Sequence, residues 1–272
     1  GGYAVQVKNM KSEAVRFVRS STADTFCAAQ TSVVYDKDGN TISTLKGEKD
    51  VYYLTYDQIP VDVCAAIVSI EDKKFYQHSG IDIRAILRAA KAALENGEVT
   101  QGGSTITQQL ARTIFLTQDQ TWQRKVEEIF IATELEKKYS KTEILEFYLN
   151  NIYFGSGYYG IQAASMGYFN TEVKNLDLSQ IAFLCAIPNN PTLYDPLKNM
   201  ENTIGRRDRI LENMSQDGKI TQGAYRMAIA EEITLSRPEH EKNNYVETYT
   251  YYCAIRLLME QEGFVFQTEF HY

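Results

Sequence analysis

At 272 residues, 44% of them hydrophobic and 23% charged, the chain is long enough to bury a substantial core and has ordinary globular composition. Its formal net charge of -7 argues against a general nucleic-acid binder. No segment approaches the ~20 apolar residues needed to span a bilayer, and the longest apolar runs, Cys64 to Ile70 and Ile181 to Ile187, read as core helices.

In chain order, Val33 to Leu45 alternates around Asp38-Gly39-Asn40 and predicts a small β-hairpin within an N-terminal segment 1–50. From about Val51 to Glu232 the pattern is helical, with capping signals at Asp82, Ser104, Thr121, Ser140, Asp177 and Thr221 and a stop at Pro188. The fold class expected is therefore all-α, with a main domain over 51–236. Beyond Arg237-Pro238, residues 237–272 are expected to form a linker carrying one more helix, Tyr245 to Glu262. The four Cys, at 27, 64, 185 and 253, show no metal spacing and read as free buried thiols. Ser43-Thr44-Leu45-Lys46 matches S-x-x-K by chance, since no K-T-G or S-D-N partner follows it.

Five segments carry the candidate chemistry. Pro60 suits a first helical turn, and Val63, Ile67 and Ile70 recur at helical spacing, so Glu71 falls at a helix C-terminus with Asp72 beside it. The partial negative charge of that end and the neighbouring carboxylate suit Glu71 to general-base work near neutral pH. Phe75, His78 and the turn residue Gly80 follow, and His78 reads as a structural hydrogen-bonding residue. Gly102-Gly103-Ser104-Thr105 feeds a helix whose first turns hold Gln108 and Gln109, so Ser104 is the expected cap. That helix start offers N–H groups to an anion, and Arg112, four residues after Gln108, adds charge to the same face. On the next helix Arg124 and Glu128 stand four apart, with Lys125 between. Ser140 and Glu143 form a capping box opening the helix that bears Leu149-Asn150, and its apolar stripe includes Tyr148. Gly160, Ala163, Ala164 and Gly167 make a small-residue face for close packing. Taken singly, these features are a solvated helix end, a plain cap and a surface ion pair.

Together, in this order, they resemble the motifs of glycosyltransferase family 51, the peptidoglycan glycosyltransferases found alone or as the first catalytic domain of class A penicillin-binding proteins. E-D-x-x-F-x-x-H-x-G is matched by Glu71, Asp72, Phe75, His78 and Gly80. G-x-S-T-x-x-Q-Q is matched by Gly102, Ser104, Thr105, Gln108 and Gln109. R-K-x-x-E is matched by Arg124, Lys125 and Glu128, and the likeness covers about Tyr52 to Met214. It implies a lysozyme-like fold of two lobes and polymerisation of lipid II into β-1,4 glycan with inversion and release of polyprenyl diphosphate.

In that scheme Glu71 is the base. Glu128 is a second carboxylate that orients Arg124, positions the acceptor or holds a divalent cation (Mg or Mn) near the diphosphate, and no residue is assigned to a metal. Asp72, Ser104, Thr105, Gln108, Gln109, Arg112, Arg124 and Lys125 are the substrate-binding set, while Phe75, His78, Gly80, Gly102 and Asn150 are structural. The implied partners are lipid II, the growing glycan-lipid diphosphate, the membrane surface and cell-wall synthesis proteins, with no nucleic acid. The setting is the extracytoplasmic membrane face, with an N-terminal transmembrane anchor expected ahead of Gly1 and a transpeptidase absent from these residues. The region Thr113 to Leu116 with Trp122 is a membrane-contact candidate or small-lobe packing. Many relatives carry Arg four residues before the R-K pair; here it is Gln120. A lysozyme-like muralytic hydrolase and a non-catalytic assembly module are the alternative readings.

Overall fold

The computed structural model describes residues 2–27, 32–35, 41–45, 52–88, 103–116 and 121–236. The expected turn at Asp38-Gly39-Asn40, Gly102, Gln120, Cys253 and the Tyr245 to Glu262 helix lie outside the described residues.

Within them the chain is mostly helical. Helix α1 (Gly2–Ser20) and the one-turn α2 (Ala23–Phe26) precede strands β1 (Ser32–Tyr35) and β2 (Thr41–Leu45), which pair antiparallel in the stretch where a hairpin is expected. Pro60 then sets the entry to α3 (Val61–Glu71), whose Val63, Ile67 and Val68 are buried. The remaining helices are α4 (Ile106–Phe115), α5 (Trp122–Lys138), α6 (Lys141–Asn151), α7 (Ile161–Phe169), α8 (Leu178–Cys185), α9 (Met200–Gln216) and α10 (Gln222–Ala230). Thr121, Ser140, Asp177 and Thr221 cap their helices through the side chain as expected, and Asp82 accepts from the Ala85 N–H at 3.0 Å. The α4 cap differs: Thr105, one residue after the expected Ser104, accepts from Gln108 N, and Gln108 returns its side chain to Thr105 N. A Thr cap with Gln three residues on closes a reciprocal capping box, which Ser104 with Thr107 at that spacing would not.

Helices pack in two groups. One holds α1, α4, α5 and α6; the other holds α3, α8, α9 and α10. A continuous apolar core runs through both, from Phe26 and Phe147 to Phe183 and Ile210. At the edge of the first group, Lys138 donates to the terminal carbonyls of α1 at Val18 and Arg19, while Phe26 stacks on Phe147 with centroids 4.1 Å apart. A cation on the last carbonyls of a helix meets groups that have no partner within the helix. Asn150 grips the Leu54 backbone from both sides, donating to its carbonyl at 2.8 Å and accepting from its N–H at 2.7 Å. The small-residue face of α7 receives two different neighbours: Gly160 meets the Asn150 backbone, and Gly167 meets the Tyr158 ring. Cys64 and Cys185 are free and buried as expected, whereas the free Cys27 is half-buried. Ile114, Phe115 and Leu116 pack partly against the core, while Trp122 stays about half exposed.

Gly80 sets the approach of the 72–80 turn to α5. Its φ is +94°, and a Cβ there would sit 2.7 Å from the Ala132 carbonyl oxygen. Both the left-handed backbone and the backbone contact exclude a side chain. Gly80→Ala is expected to lose about 1 to 3 kcal/mol from backbone strain, with overpacking adding to it. Urea unfolding measures this, and an unchanged midpoint would mean that the turn does not hold α5.

Candidate active site

Glu71 ends α3, where the apolar stripe of the helix has brought its carboxylate inward to 2% side-chain exposure. Both of its oxygens are bonded. Oε1 accepts from the Arg206 guanidinium at 2.8 Å, and Oε2 accepts from Gln109 Nε2 at 2.9 Å. Tyr148 on α6 donates its hydroxyl to Gln109 Oε1 at 3.0 Å, which fixes the amide orientation. Burial pushes the Tyr148 hydroxyl well above the usual tyrosine range, and the Glu71 charge adds to the effect. Tyr148 thus stays protonated and remains a donor.

Asp72 does not face Glu71. Its backbone leaves the helical region, and its buried carboxylate accepts from His78 Nε2 at 2.9 Å and from the Ile106 N–H at 3.1 Å. Expected as substrate-binding, Asp72 instead ties the Glu71 helix end to the turn and to the first free N–H of α4. The same turn is fixed by Thr105, whose hydroxyl donates to Gly80 O at 2.6 Å, and by buried Phe75, whose ring lies 4.3 Å from Lys141 Nζ.

Glu128 is the second carboxylate, with a side-chain exposure of 0% on α5. Its ion-pair partners are Lys125, bonded to Oε1, and Arg112 of α4, whose NH1 stands 3.9 Å from Oε2. The expected Arg124–Glu128 pair is replaced by these two. At a separation of three residues the flexible Lys125 stem returns to Glu128, and Arg112 reaches the other oxygen from the neighbouring helix. Lys125 Nζ also donates to Ser104 Oγ at 2.7 Å, which gives Ser104 a role at the site after losing the cap. Gln109 and Arg112 are one turn apart on α4 and so share a face. The side chains of that one face therefore reach both carboxylates.

Of the sequence-predicted residues, Gln109 meets Glu71, and Arg112, Lys125 and Ser104 gather at Glu128, while Asp72, Thr105, His78 and Gly80 form the turn beside Glu71; Asn150 holds the Leu54 backbone, and Gly102 is not described. Arg206 and the Tyr148 hydroxyl contact were missed. A signal for Arg206 existed: Arg206 and Arg207 stand four residues before Ile210 and Leu211, so both arginines point to the core side of α9. Among the described residues, no group of three or more His, Cys, Asp or Glu is placed to hold a metal ion. No helix among them is long and apolar enough to cross a membrane.

If Asp72 works as a clamp, Asp72→Ala orphans two donors, the His78 ring and the Ile106 N–H. Each buried unpaired donor costs about 1 to 3 kcal/mol, so a loss of roughly 2 to 6 kcal/mol in urea unfolding is expected. A variant of parental stability with weakened substrate binding would return Asp72 to the substrate-binding set.

Comparison with known proteins agrees with this arrangement. Residues 38–215 match the Transglycosylase family. The chain is 37% identical over 262 residues to penicillin-binding protein 4 of Bacillus subtilis, covering 95% of this chain and 42% of that protein. It is 46% identical over 190 residues to penicillin-binding protein 1F of the same organism, covering 70% and 26%. It is 42% identical over 200 residues to penicillin-binding protein 1A of Escherichia coli, covering 74% and 23%. The chain spans less than half the length of each of these relatives. With the matched region running through both buried carboxylates and the cations around them, this chain belongs to the transglycosylase family, and that region is a peptidoglycan glycosyltransferase domain.

Proposed function

We propose that the chain polymerises lipid II into β-1,4-linked glycan with inversion, releasing polyprenyl diphosphate. The observation that supports it best is a pair of buried carboxylates, Glu71 and Glu128, reached from one face of α4 and surrounded by Arg112, Lys125 and Arg206. Attack of a sugar hydroxyl on an anomeric carbon bearing a diphosphate needs a base for the hydroxyl and positive charge for the leaving group.

In this reading Glu71 takes the proton of the acceptor 4-hydroxyl. The oxygen's electron pair then forms the bond to the anomeric carbon from the face opposite the diphosphate. As the carbon–oxygen bond to the diphosphate breaks, its electron pair leaves with the diphosphate, whose charge falls to Arg112, Arg124 and Lys125. Gln108 Nε2 and Arg124 Nε are buried donors without a partner, which suits groups that wait for ligand oxygens. Gln109 belongs with Glu71, and Thr105 and Asp72 with the support beneath it. A divalent ion at Glu128 would compete there with Lys125 and Arg112.

The same reading takes 51–236 as the catalytic unit, with a lysozyme-like division into two lobes, flanked by 1–50 and by the linker 237–272. A polyprenyl substrate must be met at the bilayer, so the unit works at the extracytoplasmic membrane face among other cell-wall synthesis proteins. The exposed Trp122 is its nearest candidate for lipid contact.

Incubation of the purified chain with lipid II is the direct test, with polymer and released polyprenyl diphosphate as the expected products. Glu71→Gln is expected to cut turnover on the order of 100- to 10,000-fold while the circular dichroism stays parental. Arg124→Ala is expected to cost about 2.7 to 4 kcal/mol of transition-state stabilisation. Soluble muropeptides released from lipid-free glycan strands, undiminished in Arg124→Ala, would point instead to a lysozyme-like hydrolase.

A further inference from the structure

We propose that Arg206 is a positioning residue that fixes the direction of the Glu71 carboxylate for proton transfer, an inference that rests on reading Glu71 as the base. Arg206 and Arg207 are neighbours on α9, and their surroundings separate their roles. The Arg207 guanidinium is bonded at every nitrogen: Nε pairs with Asp208 beside it on α9, while NH1 reaches Ser179 Oγ and the Glu231 carbonyl and NH2 the Ile229 carbonyl, which holds α9 against α8 and the end of α10. Arg206 makes one side-chain hydrogen bond among the described residues, to Glu71 Oε1, and its buried Nε has no partner. An arginine retained for packing distributes its donors as Arg207 does. Arg206 spends its charge on a single carboxylate.

The position of Arg206 is itself fixed. Its guanidinium lies 5.0 Å from the Tyr194 ring centroid, and Asn213 on the same helix donates to Ser69 O, two residues before Glu71, at 3.2 Å. Helices α9 and α3 are thereby held in register beside the carboxylate. Rotation about the last torsion of a Glu side chain is broad and roughly two-fold. Arg206 on one oxygen and Gln109 on the other remove that freedom. A carboxylate has about four lone-pair sites, so one bond to each oxygen leaves acceptor capacity in a defined direction for the sugar hydroxyl. Orientation of this kind acts on the chemical step more than on ground-state binding.

The test measures polymerisation of lipid II by the parent chain, Arg206→Ala, Arg206→Lys and Glu71→Gln, each checked for fold by circular dichroism and thermal unfolding. For Arg206→Ala the expected result is a fall in kcat on the order of 100-fold, with KM for lipid II within about twofold of the parent. Guanidinium ion added below denaturing concentration restores part of that rate, and Arg206→Lys retains an intermediate one. A merely structural role predicts neither the rescue nor the separation of kcat from KM. Glu71→Gln is expected to be inactive and to gain nothing from guanidinium. Parental kcat in folded Arg206→Ala, with Glu71→Gln inactive, overturns the positioning role and leaves the base reading standing. Parental turnover in Glu71→Gln overturns the base reading itself. Should Arg206→Ala fail to fold, Arg206→Lys decides: it keeps the charge and gives up the planar fork, so reduced kcat at unchanged KM supports the role and parental kcat removes it.

Discussion

A carboxylate buried at the end of a helix has to be answered by a cation, and most of the active-site architecture follows from how Glu71 is answered. Leaving such a group unpaired in the interior costs about 3 to 5 kcal/mol, comparable to a large part of a domain's net stability. The partner comes from α9, 135 residues further along the chain, and the second donor comes from α4. Three helices that are distant in sequence must therefore meet within hydrogen-bond distance of one side chain. The packing of α3 against α8 and α9 brings two of them close, while α4 packs on α5 and α6 and meets Glu71 through the Gln109 side chain.

Adjacent acidic residues divide the work because the helix stops between them. Glu71 is the last residue of α3 and projects with the helical face, while Asp72, the C-cap, turns its side chain toward His78 and the start of α4. One carboxylate is held in the site and the other is built into its floor. Glu128 follows a third arrangement, with Lys125 from its own helix and Arg112 from the next. Lys125 and Arg112 remain partly exposed while Glu128 is fully enclosed, so the cations stand between the buried charge and the open side. That order suits an anionic ligand approaching from outside better than a neutral one.

Local signals made the helices legible: Thr121, Ser140, Asp177 and Thr221 cap where their chemistry places them, because a cap depends on four consecutive residues. The Ser104 cap failed by one residue for a reason the sequence also contained, the Gln three positions after Thr105. The site was legible as motifs but not as contacts. Arg124 at i,i+4 looked like the partner of Glu128, yet tertiary proximity gave that place to Arg112. Arg206 was invisible to local reasoning because nothing near position 206 announces a carboxylate at position 71. Only its place on the core side of an amphipathic helix marked it, and a buried arginine demands an acceptor whose identity only the fold supplies.

Where polar satisfaction breaks down also bears on what the molecule is for. Among the described residues, the buried side-chain polar atoms without a hydrogen-bond partner are His78 Nδ1, Gln108 Nε2, Arg124 Nε, Glu128 Oε2 and Arg206 Nε. Four of these belong to the segments that the sequence singled out, and the fifth belongs to the arginine bound to Glu71. An unpaired buried donor or acceptor costs about 1 to 3 kcal/mol, and a fold under no other demand would remove it or pair it. Arg207, one residue away from Arg206, has been paired throughout. Among the described residues, the unmet capacity lies on the segments that carry the two carboxylates and on the arginine that holds one of them, which is what the proposed binding of a sugar diphosphate would draw on.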